Sequence, residues 1–218
     1  MSRKLPSNVA ASVRQRLLNK TRETGEDFQL LLTRYALERF LYRLGISQYR
    51  NKFVLKGAML YLLWDKAPHR PTRDLDLHGV GDSSVDHMEM VIKEICGLEV
   101  EDDGVAFLPE TVRGEEIRED QEYAGVRLQL GARLAGARMS LQIDVGFGDD
   151  VYPEPQEADY PTVLAFQAPR IRVYPRESVV AEKYHALIFL GIANSRMKDY
   201  FDLWTLACEA AHLSWRVT

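Results

Sequence analysis

Apolar residues recur along this chain with two periods, one typical of helices and one typical of strands. Residues 7–22 carry valine or leucine at every fourth position among basic side chains, and this predicts an amphipathic helix that begins after Pro6 and Ser7. A second helix is predicted over residues 26–44, ended by Gly45. Further helices are predicted over residues 58–65, 83–97, 176–190 and 197–212.

Between these helices the pattern changes to alternation, which is typical of strands. A short apolar run at 53–55 and the segment DLDL at 74–77 predict two strands, and residues 98–151 predict several antiparallel strands with glycine at the turns. The proline-rich stretch 153–169 is predicted to be a loop or linker. The order of helices, then a mixed sheet, then helices indicates an α+β fold.

Composition excludes several classes of protein. The 218 residues are 46% hydrophobic and 28% charged, with a formal net charge of −4, so the chain is expected to be globular and any nucleic-acid contact must come from a local basic face. Cys96 and Cys208 lie far apart, without metal-type spacing, and indicate a reducing compartment. No signal-peptide core and no apolar run of roughly 20 residues is present, which favours a cytoplasmic protein without a membrane contact.

The segment PTRDLDLHG places two carboxylates on one short strand. Residues i and i+2 of a strand point to the same face, about 6.5–7 Å apart at Cα, so Asp74 and Asp76 are expected to face the same way. Two carboxylates this close repel each other and attract a cation, and Mg²⁺ prefers oxygen ligands. Taken alone, the pattern is also what a half-buried strand with a solvated acidic face would show.

Three further segments add candidate chemistry, each with an ordinary structural alternative. Asp144 lies in a second apolar strand and would complete a carboxylate triad, or it is a polar residue at a strand end. Lys183 lies in an apolar helix and could neutralise phosphate charge, or it extends from the helix flank. Asp199 and Asp202 share one helical face and could orient a lysine, or they complement the helix dipole.

Together these segments resemble the AbiEii-type nucleotidyltransferase toxins of type IV toxin–antitoxin and abortive-infection systems. The resemblance is carried in order by FVLKGAMLYLLW, RPTRDLDLHG, LQIDVGFGD, ESVVAEKYHAL and RMKDYFDLWTL. These blocks extend from residue 53 to residue 206. Their order and spacing are far more specific than any single block.

The resemblance implies a polymerase-beta-like nucleotidyltransferase fold with a small mixed sheet. It implies N-terminal helices over residues 1–50, a catalytic core over 51–170 and a C-terminal helical lobe over 171–218. It also implies Mg²⁺ or Mn²⁺ as cofactor, an NTP as substrate and a cognate antitoxin as partner. The metal ligands would be Asp74, Asp76 and Asp144. The remaining catalytic candidates would be Lys183, which also matches a triphosphate ligand, Asp199 and Asp202.

The nucleotide-binding turn departs from the pattern of many nucleotidyltransferases, because Gly57 is followed by Ala58 where a serine is common. Backbone amides would then contact the phosphates, supported by Lys56, Thr72 or Arg73. Relatives often continue beyond the last helix, whereas this chain ends at Thr218, so we expect a small or shortened helical lobe with consequences mainly for RNA binding.

The resemblance implies that the acceptor is RNA, with the 3′ end of tRNA expected. A basic rim would support RNA binding, and its candidates include Arg127, Arg133 and Arg138 on the alternating strands. Two alternatives remain open from the sequence. One is transfer of a nucleotide to a protein hydroxyl, and the other is a module of the same fold that binds a nucleotide or a partner without catalysis.

Overall fold

The computed structural model describes residues 8–64, 71–119, 123–148, 151–191 and 195–214. Pro6 and Ser7, expected to precede the first helix, and Asp65, expected to end the third, lie outside these ranges. Contacts within the chain define two compact units. The first comprises residues 1–149 and 157–173, and the second comprises residues 150–156 and 174–218.

The first unit begins with two helices whose ends are set by local hydrogen bonds. Helix α1 (Val9–Thr24) starts where the Asn8 side chain accepts a hydrogen bond from the Ala11 amide, and it ends at Gly25 in the left-handed conformation. Helix α2 (Phe28–Ile46) starts at Asp27, whose carboxylate accepts from the Leu30 amide. Most of α2 is buried, because it packs against α1, α4 and the sheet.

The prediction that Gly45 ends the second helix is wrong, since α2 continues through Gly45 to Ile46. A Cβ at this position would lie 2.5 Å from the Arg170 carbonyl oxygen. Glycine is therefore needed here for close approach of a strand to the helix, and not for a helix stop.

Within the described ranges, seven strands form one mixed sheet in the order β3-β4-β5-β2-β1-β7-β6. The strands are β1 (Phe53–Lys56), β2 (Asp74–Gly79), β3 (Ala106–Glu119), β4 (Tyr123–Leu134), β5 (Ala137–Gly146), β6 (Gln156–Asp159) and β7 (Arg170–Val173). Strands β3, β4 and β5 form an antiparallel meander, as the alternation predicts. Strand β2 pairs parallel with β5 and antiparallel with β1, and β1 pairs parallel with β7. The mixed sheet with helices before and after it in the chain confirms the predicted fold class.

Two strands were not predicted. Strand β6 lies within the stretch 153–169 that was predicted to be a loop, and its residues are mostly exposed, so no apolar alternation marks it. Strand β7 has four residues, and its pairing with β1 is distant in sequence. Only β6 lacks a local signal, because β7 alternates arginine with the buried Ile171 and Val173 but is only four residues long.

The remaining helices follow the predicted pattern closely. The predicted helix at 58–65 is a 3₁₀ turn (Ala58–Leu60) followed by the short helix α3 (Tyr61–Trp64). Helix α4 (Val85–Cys96) packs on β3 with its apolar side buried. In the second unit, α5 (Arg176–Leu190) packs against α6 (Met197–Ser214). No helix in the described ranges is both long enough and apolar enough to cross a membrane.

Candidate active site

The central strands carry their polar side chains on one face of the sheet. Asp74 and Asp76 alternate along β2 with two fully buried leucines, because neighbouring strand residues point to opposite faces. The parallel pairing of β2 with β5 sets Asp76 beside Asp144 and Asp74 beside Gln142. Residues paired across adjacent strands point to the same face. The three carboxylates predicted separately from the sequence therefore share one face.

This pairing extends into a row of charged residues that crosses five strands. Lys56 on β1 pairs with Asp76, and Asp76 pairs with Asp144. On the other side, Asp144 pairs with Arg127 on β4, and Arg127 pairs with Glu115 on β3. The two central aspartates thus lie between a lysine on one side and an arginine on the other, which offsets their mutual repulsion.

Arg127 and Asp144 form a bidentate ion pair within this row. Arg127 Nε lies 2.9 Å from Asp144 Oδ1, and Nη2 lies 2.8 Å from Oδ2. Gln142 Nε2 donates a third hydrogen bond to Oδ2 at 3.0 Å. The hydrogen bonds to Asp144 raise the pKa of Arg127, and the charges of Asp144, Glu115 and Asp74 act in the same direction. Both carboxylate oxygens of Asp144 therefore have protein partners.

The chemistry of the three aspartates suits a divalent cation, because hard oxygen ligands are what Mg²⁺ and Mn²⁺ prefer. Nevertheless, in the described part of the chain no three His, Cys, Asp or Glu side chains are grouped closely enough to hold a metal ion. Arg127 occupies the oxygens that Asp144 would offer. The ligand set Asp74, Asp76 and Asp144 thus has suitable donors on one face, and its role as a metal site stays a prediction.

The predicted nucleotide-binding turn lies directly against the second aspartate. Gly57 has φ 72° and ψ −159°, a backbone conformation reserved for glycine. A Cβ on Gly57 would lie 1.9 Å from Asp76 Oδ2. Lys56, which precedes the turn, is half-buried, and Ala58, which follows it, is buried. The turn therefore brings main chain into contact with the carboxylate.

Thr72 and Arg73 lie immediately before β2. The Thr72 hydroxyl donates to the Asp74 carbonyl oxygen at 3.3 Å and lies 3.4 Å from the Asp74 amide nitrogen, so this threonine caps the strand start. Arg73 is exposed. Their role as nucleotide ligands, like those of Lys56, Gly57 and Ala58, stays a prediction.

The second unit brings the predicted lysine and the two helical aspartates together. Lys183 Nζ on α5 lies 2.7 Å from Asp199 Oδ1 and 2.8 Å from Asp202 Oδ2, both on α6. Asp202 is fully buried, whereas the Asp199 side chain is 14% exposed and also lies 4.0 Å from Arg196. The two aspartates share a helical face, as their i, i+3 spacing predicts, and they hold the lysine between α5 and α6.

Sequence reasoning placed Arg127 in a basic rim and missed its pairing with Asp144. The signal was present in the hairpin of β4 and β5, which turns at Ala135 and Gly136. Counting outward from this two-residue turn sets Arg127 opposite Asp144. Ala-Gly is a weaker hairpin signal than Asn-Gly. This turn sequence alone therefore does not fix which residues of β4 and β5 are paired.

The protein-family model described as "Nucleotidyl transferase AbiEii toxin, Type IV TA system" matches residues 39–213. No curated protein matches the chain. The family-model match, which covers most of the chain, confirms the family predicted from the sequence blocks.

Among solved structures, JHP933 from Helicobacter pylori superimposes with a TM-score of 0.53 at 17% identity, over 82% of this chain and 66% of JHP933. The chain thus spans just under two thirds of that protein, and the likeness concerns the fold alone. A putative nucleotidyltransferase from H. pylori has a TM-score of 0.49 at 17% identity, over 84% of this chain and 69% of the other. An antigenic nucleotidyltransferase-like protein from Paracoccidioides brasiliensis has a TM-score of 0.43 at 11% identity, over 91% and 74%.

Proposed function

Because the chain belongs to the AbiEii family of nucleotidyltransferase toxins, we propose that it transfers nucleotides from an NTP to an RNA acceptor. The 3′ end of tRNA is the proposed acceptor, and blocked translation is the proposed outcome. The reaction forms a bond between an acceptor hydroxyl oxygen and the α-phosphorus, breaks the bond to the leaving pyrophosphate and releases the hydroxyl proton. As in other phosphoryl transfers, positioning and charge provide most of the catalysis.

The observation that supports this proposal most directly is the charged row Lys56, Asp76, Asp144 and Arg127, with Asp74 one position along on the same face. A divalent ion held by Asp74, Asp76 and Asp144 would neutralise charge on the phosphates. The Gly57 turn presents main chain beside Asp76 and would receive the triphosphate, and Lys56 would supply a cation there.

Lys183 matches the helical lysine of the family and would bind the triphosphate. An ammonium group has three N–H donors, and two of them point to Asp199 and Asp202. In the proposal the aspartates orient the ammonium group and leave one donor for a phosphate oxygen. Asp144 would orient the acceptor hydroxyl.

An exposed arginine pair supports RNA as the acceptor. Arg133 and Arg138 are paired directly across β4 and β5 and are both exposed. Arg138 and Asp144 are separated by an even number of residues on β5, so both point to the same face, about 20 Å apart. Arg133, which is paired with Arg138, shares this face. Two like charges facing each other across a hairpin are unfavourable alone, so this pair suits a phosphate backbone as counter-ion. Membership in a type IV toxin–antitoxin family further implies a cognate antitoxin.

The test is incubation of the purified protein with Mg²⁺, total RNA and each of the four labelled NTPs in turn. Asp74→Ala is run alongside, and Asp86→Ala, which removes an exposed carboxylate on α4, is the matched control. We expect label in a tRNA-sized band with the wild type and the control but not with Asp74→Ala. Label on protein would indicate that a protein hydroxyl is the acceptor. No label at all would favour a module that binds a nucleotide or a partner without catalysis.

A further inference from the structure

The ion pair between Arg127 and Asp144 raises a specific question about the metal site. Both Asp144 oxygens accept hydrogen bonds from Arg127, at 2.9 and 2.8 Å. If Asp144 is a metal ligand, as the proposed function requires, a divalent cation and the Arg127 guanidinium would share one carboxylate. Two positive groups this close repel each other, so binding of the cation disfavours the arginine.

We propose that Arg127 is a resident counter-ion of Asp144 that competes with the divalent cation and is displaced when the cation binds. Arg127 is then a positioning residue, which sets the cation concentration at which the three carboxylates assemble into a site. This inference rests on the proposed function, because it takes Asp74, Asp76 and Asp144 as the ligands.

The charge distribution explains why a counter-ion is present. Asp76 and Asp144 are paired on neighbouring strands, and Asp144 is buried. Two adjacent carboxylates would repel each other strongly in such a place. Arg127 reaches Asp144 from β4, on the side of β5 opposite to β2. A cation bound from the β2 side would supply the same compensation and would leave the guanidinium redundant.

The exposure of the two side chains makes exchange feasible. The Asp144 side chain is 9% exposed and fixed on a central strand, whereas the Arg127 side chain is 36% exposed. The guanidinium can therefore move toward solvent without opening the core. An alternative partner is near, because the exposed Glu115 is paired with Arg127 on β3 and its charge already acts on Arg127.

A polar network would keep Asp144 oriented after the exchange. Gln142 Nε2 donates to Asp144 Oδ2 at 3.0 Å, and Gln142 Oε1 in turn accepts from Gln129 at 3.2 Å. Ser140 donates to the same Gln129 at 3.2 Å. Among the described residues, Arg127 and Gln142 both hold the carboxylate, and departure of Arg127 leaves Gln142 in place.

The first test is binding of Mn²⁺ alone to the full chain, measured from the EPR signal of the unbound ion. The variants are Arg127→Met, Asp144→Asn and their combination, with Arg133→Met as the control for loss of an exposed arginine from the same strand and face. We expect the Mn²⁺ Kd of Arg127→Met to fall about tenfold to hundredfold. Arg133→Met should change little, and Arg127→Met should have no effect when Asp144→Asn is present.

The outcomes distinguish the inference from the proposed function. If Asp144→Asn weakens Mn²⁺ binding while Arg127→Met leaves it unchanged or also weakens it, the exchange is disproved and the metal site stands. If the wild type binds no Mn²⁺, both are overturned.

A second measurement uses wild-type protein and so avoids Arg127→Met, which takes the guanidinium partner from the buried Asp144. In wild-type protein the Arg127 Nε–H NMR signal, identified by its absence in Arg127→Lys, should exchange slowly with solvent. Saturating Mg²⁺ should accelerate this exchange. An Arg127 signal that stays protected while other residues report bound Mg²⁺ contradicts the proposal.

Discussion

Gly57 lies so close to Asp76 that a methyl group on its Cα would stand 1.9 Å from Asp76 Oδ2. The same glycine has φ 72° and ψ −159°, a backbone conformation that residues other than glycine rarely adopt. Glycine is therefore required at this position twice, once by its backbone angles and once by the carboxylate beside it.

We expect Gly57→Ala to lose most nucleotidyltransferase activity and to lower the free energy of unfolding, because the new methyl group displaces Asp76. The matched control is Gly25→Ala, where φ is 73° and nothing lies within 4 Å of the added Cβ. The control should cost about 1 kcal/mol of stability from backbone strain and retain activity. Equal activity of the two variants would contradict a role for the Gly57–Asp76 contact.

Gly45 offers a test in which helix propensity and packing predict opposite results. Alanine is favoured over glycine within a helix by about 1 kcal/mol, but here its Cβ would lie 2.5 Å from the Arg170 carbonyl oxygen. We expect Gly45→Ala to destabilise the protein by about 1–3 kcal/mol in urea unfolding, as overpacking does. Gly97→Ala, whose Cβ would find ordinary contacts at 3.5 Å or more, should be tolerated, and a stabilised Gly45→Ala would refute the packing argument.

The ion pairs of Lys183 predict unequal roles for its two aspartates. Asp202 is fully buried, whereas the Asp199 side chain is 14% exposed. We expect Lys183→Met to lower the free energy of unfolding by about 3 kcal/mol, because it leaves a buried carboxylate without its ammonium partner. Asp202→Asn should be more destabilising than Asp199→Asn. Chemical denaturation of the three variants measures this order, and a larger loss for Asp199→Asn would reverse the assignment.

Glu38 predicts a pH dependence of stability. Burial raises its pKa to about 7, although the neighbouring Arg39 charge and a 2.5 Å hydrogen bond from the Val163 amide oppose the shift. The folded protein therefore holds a proton that the unfolded chain releases near its ordinary pKa of 4.5. The resulting stability is fully present below about pH 4.5 and is lost as pH rises through 7.

The change between these pH values should be about 3 kcal/mol, since each pKa unit corresponds to about 1.36 kcal/mol. The variant Glu38→Gln keeps an acceptor for the Val163 amide and removes the titration. The difference in unfolding free energy between wild type and variant, followed from pH 4 to pH 8, isolates the effect. A difference that does not change with pH would contradict the raised pKa.

The arginine pair of the β4–β5 hairpin predicts how an RNA substrate would be held. We expect Arg133→Glu with Arg138→Glu to raise the KM for RNA and to reduce the salt dependence of RNA affinity by about 1–2 units of slope. The KM for the NTP should not change. The control is Arg50→Glu with Lys52→Glu, an exposed pair before β1, and an equal effect of the control would indicate general electrostatics instead of a defined RNA path.

Several features of the fold depend on contacts that the local sequence does not reveal. Gly45 reads as a helix stop because glycine commonly ends helices, and only the approach of β7 gives it another use. Strand β6 is mostly exposed, so no apolar alternation marks it. Strand β7 has four residues and pairs with β1, which is distant in sequence. Arg127 reads as surface charge, since its partner Asp144 is 17 residues away.

The sequence alone determined the periodic helices, the β3–β5 meander, the alternation that separates Asp74 and Asp76 from the core, and the spacing of Asp199 and Asp202. These features depend on interactions within a few residues, which the hydrophobic pattern records directly. Tertiary structure decided which strands are neighbours. The parallel pairing of β2 with β5 placed Asp76 beside Asp144. It joins segments far apart in the chain through main-chain hydrogen bonds that any sequence can make, so residue pattern does not specify it. The register of the β4–β5 hairpin then gave Asp144 an arginine partner.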